Sequence, residues 1–135
     1  MDKLVVLPDQ PVLHIGDRLT LDFRDADHLR SALAGPLFVT SRDTCRHVAG
    51  LDFLGLPCHL SLNAASVFVS FDDYANPDSV MSLPQVKRFI KRHPELPHTV
   101  HGLAQVDFSC PEGSWRKLSF SHDKKNDHTS FRAQF

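Results

Sequence analysis

The stretch that decides the fold reads LPCHLSL at residues 56–62 and is followed closely by SVFVSF at residues 66–71. Successive side chains of an extended strand point to opposite faces. The histidine and serine of the first run, His59 and Ser61, therefore share one face, while its leucines share the other. The second run has the composition of an apolar strand. The segment thus predicts two strands close together in the chain, the first with one apolar side and one chemically active side.

The pattern histidine-x-serine-hydrophobic occurs a second time, as HTSF at residues 128–131. The same alternation places His128 and Ser130 on one face and the phenylalanine on the other. If the two strands lie side by side, two imidazoles and two hydroxyls converge on one cleft. A pair of histidines can act as general base and general acid, and serine hydroxyls can hydrogen-bond a phosphate oxygen. We therefore predict His59 and His128 as catalytic residues, with Ser61 and Ser130 as phosphate-binding residues.

Further strands and two helices are predicted from the remaining periodicity. Apolar runs or alternation predict strands at residues 3–7, 11–15, 18–23, 36–41, 100–110 and 115–120. One helix is expected with Asp27 as its cap, and another near Leu83 with Ser82 as cap and Pro84 in its first turn. Residues 42–57 are predicted as a loop with a turn or short strand, and residues 72–77 as a break. The result is an α+β fold with two helices and about seven strands.

The composition bounds the class of protein. A chain of 135 residues with 41% hydrophobic and 23% charged residues suits one globular domain, residues 1–135. No apolar run approaches the length of a membrane span, and the start lacks the layout of a signal peptide. Three scattered cysteines favour a reducing compartment over a disulfide framework. We expect a cytoplasmic protein with no membrane association and no obligate protein partner.

Charge is unevenly distributed along the chain. Residues 1–75 hold 6 basic and 10 acidic side chains, whereas residues 76–135 hold 9 basic and 6 acidic ones. This asymmetry is compatible with an anionic ligand near the C-terminal half, although it is also compatible with an ordinary solvated surface.

The paired motifs resemble those of the two-histidine (2H) phosphoesterase superfamily, which is defined by two H-x-[ST]-hydrophobic motifs in a pseudo-symmetric α+β fold. The closing run HTSFRAQF, residues 128–135, is similar to the last strand of the small viral 2′,5′-phosphodiesterases of nidoviruses and rotaviruses. Residues 56–62 resemble the first motif, where proline often precedes the histidine. The resemblance covers about residues 55–135. Members normally have a helix shortly before the second motif, but here only seven polar residues precede His128, so that helix is expected to be absent.

The resemblance implies a two-lobed, pseudo-symmetric pair of antiparallel sheets around a central cleft. It also implies a phosphodiesterase that needs no metal or cofactor and that hydrolyses 2′,5′-linked oligoadenylate. A viral enzyme of this kind would act in the host cytosol, where it would remove the second messenger of the interferon-induced RNA-decay pathway and so antagonise innate immunity.

Four other residues are candidates for ligand contact. Arg132 shares a face with the second motif by alternation, so it is predicted to supply charge to the phosphate. Lys124 and Lys125 are weaker candidates for phosphate contact. Trp115, the single tryptophan, is either a core residue or a ring that stacks on a nucleobase.

Some of the same residues would also suit other classes of function. Cys45, His47, Cys58 and His59 have a composition that zinc accepts, but Cys58 and His59 are adjacent and point opposite ways in a strand. A Cys45 nucleophile with His47 has no supporting geometry in the sequence. The alternative from a different class is a non-enzymatic α+β module that binds a protein partner. We expect no metal site.

Overall fold

A computed structural model of the chain describes residues 1–41, 44–72 and 76–135. The predicted loop and break at residues 42–43 and 73–75 lie outside the described residues. The described chain forms two α-helices, α1 (Ala26–Leu33) and α2 (Pro84–Arg92), and a 3₁₀ turn at Val80–Ser82. Its strands are β1 (Asp2–Val6), β2 (Val12–Ile15), β3 (Leu19–Asp22), β4 (Val39–Thr40), β5 (Arg46–Phe53), β6 (Leu56–Leu62), β7 (Ser66–Phe71), β8 (His98–His101), β9 (Gln105–Phe108), β10 (Lys117–Asp123) and β11 (His128–Gln134).

The strands join in one sheet with the order β3-β2-β1-β5-β6-β7-β11-β10-β9-β8, and β4 pairs beside β5. Strands β1 and β5 are parallel, and the other described pairs are antiparallel. The predicted α+β class with two helices and a mostly antiparallel sheet is therefore confirmed. The prediction of about seven strands is wrong, because the described residues form eleven.

Two segments account for much of the difference in strand number. Half of the region predicted as a loop forms β5, whose pairing with β6 shifts register between Val48 and Leu51. This irregularity interrupts the alternation of buried side chains, so the strand is hard to recognise in the sequence. Residues 100–110, predicted as one strand, instead belong to the β8–β9 hairpin, which reverses at Gly102 with a φ of 61°. Glycine adopts this left-handed conformation without steric cost.

The helix starts differ from those predicted. The cap of α1 is Asp25, not Asp27, and its carboxylate accepts a hydrogen bond of 3.0 Å from the backbone N–H of His28. Helix α2 begins after Leu83 with no side-chain cap, so Ser82 does not have the predicted role, although Pro84 does occupy the first turn. Neither described helix is long and apolar enough to cross a membrane.

Helix α2 packs on one face of the C-terminal half of the sheet. Phe89, 1% exposed, lies with its ring centroid 4.8 Å from that of Phe108, 5.5 Å from that of Phe120 and 5.7 Å from that of Phe131. Truncation of such a ring to alanine costs about 3–5 kcal/mol. The helix thus covers the apolar face of β9, β10 and β11, and the opposite face of these strands carries their polar side chains.

Candidate active site

The two motifs lie on the face of the sheet that α2 does not cover. In β6 the leucines at positions 60 and 62 are at most 1% exposed, whereas His59 is exposed and Ser61 is half-buried between them. In β11 Phe131 is fully buried, while His128 and Ser130 are half-buried on the other side. Alternation along each strand therefore places both histidines and both serines on one polar face.

The motif strands are not adjacent, because β7 lies between β6 and β11. His59 is directly opposite Ser70 of β7, and Ser70 is directly opposite Ser130 of β11. Neighbouring strands are about 4.8 Å apart, so the two motif strands are separated by roughly 10 Å. Strand β7 therefore lies in the middle of the site. Its Phe68 and Ser70 side chains are on the same face of the sheet as the motif histidines and serines.

Each motif histidine is hydrogen-bonded to a residue that lies in β7 or directly after it. Nε2 of His128 is hydrogen-bonded to Oγ of Ser70, which is only 4% exposed. The His128 ring also stacks on Phe68, with centroids 6.3 Å apart and an interplanar angle of 26°. Nδ1 of His59 lies 3.2 Å from Oδ1 of Asp72, and both side chains are about half exposed. Two imidazoles thus flank β7 in defined orientations on an accessible surface.

A third histidine, His47 of β5, belongs to the same site. It is directly opposite Ser61, and its Nδ1 is 2.9 Å from the Ser61 hydroxyl oxygen. Its other ring nitrogen, Nε2, is buried and has no hydrogen-bond partner among the described residues. Each motif is therefore hydrogen-bonded to a residue outside it: Ser61 is bonded to His47, and His128 is bonded to Ser70.

Arg132 lies next to this cluster on the same face. It is directly opposite Phe68, and its guanidinium carbon is 5.6 Å from the centre of that ring. Such a cation–π contact holds the guanidinium over the ring while Arg132 stays exposed. Arg132 borders two concavities of about 300 and 460 Å³, one of which also contains Ser130 and the other His47 and Ser61. The cation is therefore placed to reach an anion bound at either one.

Trp115 does not lie in the site. Its side chain is 2% exposed, it packs 5.0 Å from the ring of Phe23, and its indole N–H donates to the backbone carbonyl of Leu7 at 2.7 Å. A covered ring cannot stack on a base, so the core alternative is correct and the stacking role is wrong. Phe68 is an aromatic side chain that does lie on the polar face, and it is half-buried.

Lys124 and Lys125, the weaker phosphate candidates, are exposed in the turn between β10 and β11. No described residues place three or more histidine, cysteine or acidic side chains where they could hold a metal ion. Cys58 faces the core, and burial, followed by the charge of Asp72, raises the pKa of its thiol to about 12. That thiol is thus disfavoured both as a nucleophile and as a metal ligand.

Sequence reasoning missed Ser70, Phe68 and Asp72, and it considered His47 only in other roles. Alternation within residues 66–71 was enough to place Ser70 and Phe68 on one face of a strand. The register of that strand against β6 and β11 was not encoded locally, so nothing in the sequence connected these residues to the histidines.

Comparison of the chain with models of protein families, with curated proteins and with solved structures found no match.

Proposed function

We propose that the protein is a metal-independent phosphodiesterase of the 2H type, in which His59 and His128 act as general base and general acid. The observation that supports this most is their placement on one accessible sheet face, on the two strands that flank β7. Each imidazole is also held by an oxygen atom, from Asp72 or Ser70. Paired histidines with fixed orientation are a sufficient set for proton transfer at a phosphodiester.

We assign the base to His59 and the acid to His128. A carboxylate beside an imidazole stabilises the imidazolium that forms when a base accepts a proton, and Asp72 is in that position next to His59. In the proposed step His59 takes a proton from water, the water oxygen bonds to phosphorus, and the bond from phosphorus to the leaving ribose oxygen breaks. His128 donates a proton to that leaving oxygen. The net change is the addition of one water molecule.

Hydroxyls and one guanidinium hold the phosphate in this proposal. Ser130 lies beside Ser70 in the register, and Ser61 lies two positions along β6 from His59. Arg132 supplies positive charge to the phosphate oxygens as negative charge builds up on them. Ser70 and His47 act as positioning residues, the first for the His128 ring and the second for the Ser61 hydroxyl.

The proposed substrate is 2′,5′-linked oligoadenylate, and the support for this choice is the resemblance of residues 56–62 and 128–135 to the viral enzymes. The proposed setting is the cytosol of an infected host cell, where cleavage would antagonise the RNA-decay pathway. The two-lobed, pseudo-symmetric arrangement around a central cleft stays a prediction. No cofactor and no obligate protein partner are part of the proposal.

The test is hydrolysis of a panel of 2′,5′- and 3′,5′-linked oligonucleotides and cyclic phosphates, with EDTA in the buffer. We expect cleavage of the 2′,5′-linked oligoadenylate, undiminished by EDTA because the proposed proton transfers need no metal. Loss of all cleavage on addition of EDTA, with recovery on addition of a divalent metal, would contradict the proposed mechanism.

A non-enzymatic binding module is the second candidate, and the edge of the sheet favours it. All four residues of β8 are exposed, and β8 stands at one end of the strand order. Val100 is 44% exposed and Leu103, in the adjoining turn, is 68% exposed. Edge strands of this kind can accept a strand from another protein. This candidate replaces the enzyme if wild-type protein cleaves no substrate in the panel.

A further inference from the structure

A polar concavity of about 300 Å³ lies on the site face, formed by strands β9, β10 and β11. Every residue that lines it carries a hydrogen-bond donor, and two of them, Lys117 and Arg132, are cationic. It shares Ser130 and Arg132 with the candidate active site. A concavity lined by hydroxyls, amides and cations has the chemistry to bind a phosphate group.

The register connects this concavity to the catalytic residues by a row of side chains that runs across the strands. His59 is opposite Ser70, Ser70 is opposite Ser130, Ser130 is opposite Ser121, and Ser121 is opposite Gln105. Directly opposed side chains have Cβ atoms about 5 Å apart. The row therefore presents three successive hydroxyls between the proposed base and the far side of the concavity.

Asp107 fixes the polar groups at the rim of the concavity. Its carboxylate accepts a hydrogen bond of 2.8 Å from Nε2 of Gln105 and lies 3.4 Å from Nζ of Lys117 and 2.9 Å from Nε2 of His101. Burial acts to raise the pKa of Asp107, but the hydrogen bond from Gln105 and the charge of Lys117 outweigh it and lower the pKa. An ionised carboxylate thus holds the ammonium and the amide in place before a ligand arrives, which reduces the entropic cost of binding.

We propose that this concavity binds the phosphate next to the scissile one, so that the protein selects oligonucleotides with at least two phosphodiester linkages. The inference rests on the proposed function, since it takes the phosphate between His59 and His128 as the one that is cleaved. Lys117 and Ser121 are two lining residues that do not also border the site of cleavage, whereas Ser130 and Arg132 do.

The experiment compares 2′,5′-linked oligoadenylates with one and with two linkages as substrates of the wild type, Lys117→Met and Ser121→Ala. Loss of one charge-assisted hydrogen bond corresponds to about a tenfold change in binding. We expect wild-type kcat/KM to be about tenfold higher for the longer substrate and this ratio to fall towards one in Lys117→Met. Lys117 is 41% exposed in its side chain, so the substitution is compatible with folding.

The matched control is Lys87→Met, because Lys87 is exposed on α2, which covers the opposite face of the sheet. The control should keep the wild-type ratio. Each lost phosphate contact should also reduce the dependence of log K on log salt concentration by about 0.7. Equal kcat/KM for both substrates in the wild type, or an unchanged ratio in both Lys117→Met and Ser121→Ala, would overturn the proposal.

Binding of the same oligonucleotides, measured by fluorescence anisotropy, separates this inference from the proposed function. If the wild type cleaves neither substrate yet binds the longer one about tenfold more tightly, and Lys117→Met removes that difference, the phosphate site is supported and the enzymatic function fails. If neither binding nor cleavage depends on the number of linkages in the oligonucleotide, the proposed second phosphate site is wrong, whether or not the protein cleaves the substrates.

Discussion

Removal of either motif histidine should slow hydrolysis by orders of magnitude while the protein still folds. A general acid or base contributes about 10²–10⁴-fold to a rate, so His59→Ala and His128→Ala should each lower kcat by that factor. The acid and the base act in the same transition state, so the double variant should be little slower than the poorer single variant.

The structure gives different stability costs for the two substitutions. The His59 and Asp72 side chains are 50% and 52% exposed, and exposed ion pairs contribute about 0–1 kcal/mol. His128 is bonded to the buried Ser70 hydroxyl, and an unsatisfied buried group costs about 1–3 kcal/mol. We therefore expect His128→Ala to lower the free energy of unfolding more than His59→Ala, with both proteins still folded.

The assay is chromatographic separation of the products of 2′,5′-oligoadenylate cleavage, with urea unfolding of each variant alongside. His98→Ala is the control, because His98 is an exposed histidine of β8. It pairs with Phe108 in the register, and both side chains lie on the face of the sheet away from the candidate site. The control should retain wild-type kcat. Full activity in either motif variant would show that two-histidine catalysis is wrong.

Three further outcomes are expected. Ser70→Ala should lower kcat about 10–100-fold through misplacement of His128, and Ser70→Thr should recover part of it, measured in the same cleavage assay. His47→Phe should raise KM more than it lowers kcat, because it frees the Ser61 hydroxyl without removing an acid or base; an unchanged KM would argue against this role. Burial lowers the pKa of His93 from its ordinary 6.5. The contribution of the neutral His93 to the free energy of unfolding is therefore fully present above pH 6.5 and is lost as the pH falls below that value. Urea midpoints at about pH 7.5 and 5.5 should therefore differ less in His93→Gln than in the wild type.

The sequence predicted local elements well where alternation was regular. The strand over residues 66–71 has the predicted bounds, and the strand over residues 56–62 carries its leucines into the core and its histidine outward, as alternation requires. The class of fold follows from many such short runs. The register shift in β5 and the tight turn at Gly102 were not predicted, because each interrupts the alternation of apolar and polar residues that indicates a strand.

The composition of the candidate site was less accessible to sequence reasoning. Ser70 and His47 enter the site through pairing with strands that are distant or irregular in the sequence. Hydrogen-bond partners depend on side-chain rotamers as well as on register. The hydrogen bond between Ser61 and His47 could therefore not be predicted from the sequence. Burial of Trp115 depends on the N-terminal strands and on Phe23, which no local pattern links to it.

The position of β7 between the motif strands has a consequence for folding kinetics. Hairpins β6–β7 and β10–β11 close over short loops, but Ser70 and His128, which join them, are 58 positions apart in the chain. Closure of long loops is entropically costly, and contacts of high sequence separation form slowly. Recovery of cleavage during refolding should therefore lag behind the formation of secondary structure, so that catalysis reports on the last long-range pairing of the sheet.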